Sequence, residues 1–203
     1  MVSTTVDLLN HCKMDASQLI PAIFESFDGV ILGDGIGLWQ AQGIDDRLPP
    51  EECEKIREKD EKQDWRKISV LDLYRCSSSL CFFDAEGMRF HFPQFALLEL
   101  GYFQNETKRL AKEISSCLEP YLLFHLEDAV KHSFSRDKFK LFNTAQLRVV
   151  VDFIKVKMHH FEKEFQDLSY FPDGPPESFR YDSDYIKMEK TLHFWENYSH
   201  QNS

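Results

Sequence analysis

The residues whose types and spacing come nearest to a site are Arg89 and His91, alternating with Met88, Phe90 and Phe92. A guanidinium and an imidazole set among large apolar side chains suit a ligand pocket or a protein interface. Trp65, between Asp64 and Arg66, would add an aromatic face, so Trp65, Arg89 and His91 form the candidate pocket. The competing expectation is structural. A lone arginine among core aromatics needs a carboxylate, here Asp84 or Glu86, and a lone tryptophan commonly anchors packing.

Other constellations are weaker. Gly33-Asp34-Gly35-Ile36-Gly37 has the backbone freedom of a phosphate loop, but it fits neither nucleotide-loop spacing, and Asp34 would repel phosphate. Asp28, Asp34, Asp45 and Asp46 lack the acidic alternation and terminal glutamate of a calcium loop. His159 and His160 precede Glu162 and Glu164, and His160 and Glu164 share a helix face as two metal ligands would, yet a closed site needs more ligands, the H-E-x-x-H arrangement is absent and adjacent histidines point to different faces. His125 beside Glu127 and Asp128 has no nucleophile tied to it, and Cys76 and Cys81 flank three serines without zinc or nucleophile-elbow spacing. The expectation is therefore no catalytic residue, no metal and no cofactor.

Charge supplies a second line of reasoning. Across 203 residues, 24 Lys plus Arg face 34 Asp plus Glu, a net charge of −10 that disfavours nucleic acid and anionic lipid and favours encounter with a basic protein. Residues 162–184 hold seven acids against two bases, and Asp173, Glu177, Asp182 and Asp184 form the candidate acidic partner surface. No apolar run approaches the roughly eighteen residues of a membrane span, and no secretory signal is visible, so the expectation is no membrane and a cytoplasmic location. Five cysteines, odd in number and without a C-x-x-C pair, fit reduced thiols.

The elements that must position these residues are mainly helical. Asp15 caps a helix carrying Leu19, Ile20, Ile23, Phe24 and Phe27 on one face, with Pro21 in its first turns. A short helix over 38–46 and a charged surface helix over 51–62 follow the glycine loop. Residues 80–103 are the densest apolar segment. Their first part reads either as a hairpin turning at Ala85-Glu86-Gly87 or, preferred, as a helical turn capped by Asp84 that breaks before Pro93, which then opens the next helix. Helices over 106–117 and 119–132 follow. The clearest helix begins at Asn143 or Thr144 and carries Leu147, Val150, Val151, Ile154, Met158, Phe161 and Phe165 at a 3.6-residue spacing. Pro172, Gly174, Pro175 and Pro176 mark a linker, and Tyr185, Met188, Leu192 and Trp195 align on a final helix that would dock on the core or swap. The fold class is thus a mainly α single domain, with a short β-hairpin near 80–92 as the alternative. Its organisation is an N-terminal segment (1–14), a helical core (15–168), and a linker with a helical tail (169–203).

Gly35-Ile36-Gly37-Leu38, Ile44-Asp45-Asp46, Asp64-Trp65-Arg66-Lys67-Ile68, Phe82-Phe83-Asp84-Ala85-Glu86-Gly87-Met88-Arg89-Phe90-His91-Phe92-Pro93 and Phe142-Asn143-Thr144-Ala145-Gln146 occur in one order. That series resembles a bacterial family of unknown function over about residues 15–160. Gln94 stands where that family has a small residue, and the tail beyond Pro172 has no counterpart in the resemblance. No active site comes with it. The functional expectation is a non-catalytic protein-binding module that sequesters a basic partner, for example an immunity-type factor. The alternative is a small-molecule-binding protein or enzyme with a pocket around Trp65, Arg89 and His91.

Overall fold

The residues with the strongest helical periodicity form the frame. The computed structural model describes residues 15–167 and 178–202, and among these all regular structure is helical, with no strand. In α1 (Ala16–Ser26) the Asp15 carboxylate accepts from the amides of Ser17 and Gln18 while Gln18 reaches back to the Asp15 amide, a capping box. The longest helix, α10 (Thr144–Asp167), opens on a second such box. Asn143 Oδ1 accepts from the Gln146 amide at 2.9 Å, and Gln146 Oε1 accepts from the Asn143 amide at 3.1 Å. The fully buried Gln146 also donates from Nε2 to the Ser26 carbonyl at 3.0 Å, joining the start of α10 to the end of α1.

Between them, α2 (Leu38–Asp45), α3 (Pro50–Arg57) and α4 (Val70–Arg75) lead to α5 (Ala85–Glu99), the centre of the core. Short α6 (Gln104–Arg109) and α7 (Ala111–Ile114) precede α8 (Leu122–Lys131) and α9 (Ser133–Asp137), and α11 (Ser183–Gln201) ends the described chain. Twelve of the fifteen residues of α5 are buried, so it has no polar stripe to reveal its period. The hairpin alternative for 80–92 is corrected. Residues 77–81 form a 3-10 turn, and Asp84 caps α5 by accepting from the Gly87 amide at 2.8 Å. The expected break before Pro93 is absent as well. The helix runs through it, and the missing Pro93 N–H leaves the Arg89 carbonyl without its usual helical donor.

Aromatic packing ties the layers together. Phe92 of α5 stacks on Phe27 at 5.5 Å between ring centres and meets Phe142 edge-on at 5.3 Å. The helix α11 packs against α10 and α8 in the same chain. Its fully buried Trp195 meets Phe139 at 4.9 Å and donates from Nε1 to the Leu126 carbonyl at 3.1 Å, while Lys187 pairs with the buried Glu127. The Pro/Gly linker lies outside the described residues, as do Asp173 and Glu177.

Candidate functional site

The chemistry-bearing residues picked out in sequence fall mostly into scaffold roles. Trp65 is buried, donates from Nε1 to the Phe27 carbonyl at 2.9 Å, and pins the 3-10 turn Trp65–Lys67 to the end of α1. Arg66 closes that turn on Asp64 at 2.7 Å and Asp28 at 2.9 Å. Gln94, buried in α5, donates to the carbonyls of Ile68 at 2.9 Å and Arg66 at 3.3 Å, a task that a small residue could not perform.

The glycine loop is consumed in the same way. The Ile36 amide donates to Asp84 at 3.0 Å, the Trp39 and Gln40 amides donate to Asp60, and Arg57 donates to the carbonyls of Gly33 and Gly35. A Cβ on Gly87 would lie 2.4 Å from the Ile36 carbonyl oxygen, so this glycine permits the close approach of α5 to the loop. The Gly35, Ile36 and Gly37 amides are thus taken up within the chain rather than presented together to an anion.

His91 is fully enclosed. Its Nδ1 lies 2.7 Å from the Gly87 carbonyl and its ring stacks on Phe83 at 4.4 Å, which makes Nδ1 the protonated nitrogen and Nε2 an acceptor without a partner. Burial pushes the imidazole down to about 4, so it is neutral near pH 7. It lines a shallow polar depression with Trp39, Asp60 and Ser69, whereas Trp65 and Arg89 do not. The half-buried Arg89 makes no ion pair among the described residues, and its Nε is enclosed without a partner. No ion pair with Asp84 or Glu86 is formed, and Asp84 Oδ1 instead accepts from the amides of Ile36 and Gly87. Neither of the two described concavities is lined by all three of Trp65, Arg89 and His91. Among the described residues no group of three or more His, Cys, Asp or Glu is placed to hold a metal ion.

The larger concavity lies elsewhere. A cleft of about 640 Å³ opens between α4, the α5–α6 corner, residues 119–121 and α10. At its base Glu99, at the end of α5, faces Lys157 of α10 at 3.3 Å, with side chains 6% and 22% exposed. The Leu122 amide donates to Glu99 Oε1 at the cleft wall, and Oε2 has no hydrogen-bond donor beyond the ionic contact. Burial raises the Glu99 carboxyl above the ordinary carboxylate range, against the pull of Lys157 and the Leu122 and Leu123 amides. Tyr74 and Tyr121 supply aromatic walls. Burial and the nearby charge of Glu119 raise the Tyr74 phenol, while burial followed by the charges of Glu127, Glu99 and Asp184 pushes Tyr121 up to about 12. Both phenols therefore keep their protons. Lys108 and Glu119 line the cleft without ion pairs among the described residues, and Thr107 and Gln104 add neutral polar groups.

These residues escaped sequence reasoning because they come from elements up to about eighty positions apart. The one local signal was Glu99 itself, an acid inside Leu97-Leu98-Glu99-Leu100. Of the expected acidic surface, Asp184 is exposed and Asp182 half-buried, and Asp182 caps α11 by accepting from the Asp184 amide at 2.8 Å.

Fold and site together define, among the described residues, an all-helical single domain with an open cleft at its surface and a tightly cross-braced loop scaffold. The model of a Family of unknown function (DUF6714) matches residues 15–199, and the chain belongs to that family. The match extends over α11, so the tail that had no counterpart in the sequence resemblance is part of the family's span. No curated protein and no solved structure matches the chain. Among the described residues no helix is long and apolar enough to cross a membrane.

Proposed function

We propose that this chain is a non-catalytic binding domain whose ligand site is the cleft between Tyr74 and Tyr121. The observation that carries this reading is the Glu99–Lys157 pair held at the base of a cleft of about 640 Å³, a volume in the usual range of small-molecule sites. Glu99 is committed to Lys157 and to the Leu122 amide, which suits holding a ligand better than exchanging protons with one. The test is a thermal-shift screen of the full chain against a small-molecule library. Ligands that stabilise the wild type and lose their effect in Tyr121→Ala support the cleft. A silent screen, or hits unaffected by Tyr121→Ala, would count against it.

The charge distribution favours a second reading, a module that sequesters a basic protein, as an immunity-type factor in a bacterial cytoplasm would. It is supported by the net charge of −10 and by the exposed Asp184, whose field reaches Tyr121 at the cleft. The four described cysteines are unpaired, in keeping with a reducing compartment. A single basic protein retained by the tagged chain at low salt, and lost at moderate salt or with Asp182→Asn/Asp184→Asn, supports this reading. Salt-insensitive retention would refute it.

A further inference from the structure

The charges of the cleft are balanced and arranged at two levels. Glu99 and Lys157 neutralise each other at the base, and Lys108 and Glu119 line the same cleft with no ion pair of their own among the described residues. A ligand of one sign would be attracted by one of these exposed charges and repelled by the other. A ligand carrying both signs satisfies both. Leu98, Pro120 and the two tyrosines give the same cleft an apolar wall, so the third requirement is an apolar group.

We propose that the cleft takes a small zwitterion with an apolar side chain, an α-amino acid or a short peptide, with its ammonium at Glu119 and its carboxylate at Lys108. This rests on the cleft being the ligand site and adds the class of ligand. Lys157 reinforces the carboxylate end, since one direction of its ammonium is used by Glu99 and the group has three donors. Thr107 and Gln104 stand beside these charges as neutral hydrogen-bonding groups.

The experiment is calorimetric titration of the full chain with leucine, methionine, phenylalanine, tyrosine and tryptophan, followed by matched fragments of the tightest binder. For phenylalanine the fragments are 2-phenylethylamine, which lacks the carboxylate, and 3-phenylpropionate, which lacks the ammonium. The amino acid is expected to bind at least about tenfold more tightly than either fragment. Lys108→Met should lower its affinity to that of the amine, and Glu119→Gln to that of the acid. Both positions are exposed, so these variants keep the fold. A fragment that binds as tightly as the amino acid overturns the zwitterion and leaves the cleft standing. Amino-acid binding indifferent to both substitutions places the ligand elsewhere and overturns the inference. Silence from all five amino acids at millimolar concentration also overturns it, while the library screen with Tyr121→Ala separately decides whether the cleft binds anything.

Discussion

Replacing Lys157 by methionine removes the cation paired with the Glu99 carboxylate and keeps most of the aliphatic stem. Glu99 is almost wholly enclosed, and the ionic contact is 3.3 Å. Breaking a buried pair from one side costs about 3–5 kcal/mol, and the part-open Lys157 with the remaining Leu122 amide places this case near the lower end, about 3 kcal/mol. Glu99→Gln leaves Lys157 able to turn to water and should cost about 1–2 kcal/mol. The double substitution should then show a coupling of about 2 kcal/mol, within the range of about 0.5–3 kcal/mol for contacting pairs.

The pH dependence has a definite sign. Because the folded carboxyl already titrates above its unfolded value, the native state takes up its proton first. Glu99's contribution to stability is complete below the ordinary glutamate value and is lost as pH rises through the raised one. Loss of Lys157 raises the carboxyl further, so the gap between wild type and Lys157→Met should narrow on acidification. His91 and His125 cancel in the difference, whereas His160, held down by burial and then by the charge of Lys157, loses less stability in acid once Lys157 is gone and so narrows the gap in the same direction. Urea unfolding followed by tryptophan fluorescence at about pH 7 and about pH 5 measures it. A cost under about 0.5 kcal/mol, additive single effects, or a gap that widens in acid would refute the reasoning.

Three further outcomes follow from the scaffold. Gly37→Ala would place a Cβ 2.0 Å from Asp60 Oδ2, forcing away the carboxylate that accepts from the Trp39 and Gln40 amides. Lost capping and overpacking together should cost about 2–4 kcal/mol, and a wild-type melting temperature would contradict this. Gln146→Ala strips the start of α10 of its reciprocal cap and of its bond to Ser26, a loss of about 2 kcal/mol readable in the same denaturation assay. His91 and His125, both pushed by burial from 6.5 to about 4, should stay neutral in imidazole NMR spectra until near that value. Since the unfolded chain takes up these protons first, each removes stability as pH falls from about 6.5 towards 4, and a neutral-range titration of either ring would oppose the burial described.

Much of the helical frame was visible in particular residues. Asp15 marked the start of α1 and Asn143 or Thr144 that of α10, because N-capping depends on the type of one local residue, while the reciprocal bonds from Gln18 and Gln146 appear only in the structure. The apolar stripe of α10 was equally plain. In α5 the pattern failed for a physical reason: a helix buried on nearly every side has no alternation, so its residues fit strand or helix equally well, and Pro93 argued for a break that packing on all sides overrides. The long helix expected over 106–117 is divided into α6 and α7, with Leu110 between them. Trp65, Arg89 and His91 attracted attention as polar or aromatic groups in apolar company, and that company has the opposite meaning for Trp65, whose indole N–H is used to join loop and helix. The cleft was illegible because Tyr74, Glu99, Lys108, Glu119 and Lys157 are ordinary residues that only tertiary packing brings to one place.

The claim that the cleft is the working site is tested most directly by amide NMR of the labelled full chain titrated with the tightest-binding amino acid. The account predicts progressive, saturable shifts concentrated at Gln104, Thr107, Lys108 and Tyr121–Leu122, abolished in Tyr121→Ala. Saturable shifts centred instead on Trp39, Ser69 and His91, or a spectrum unchanged at saturating ligand, would contradict it.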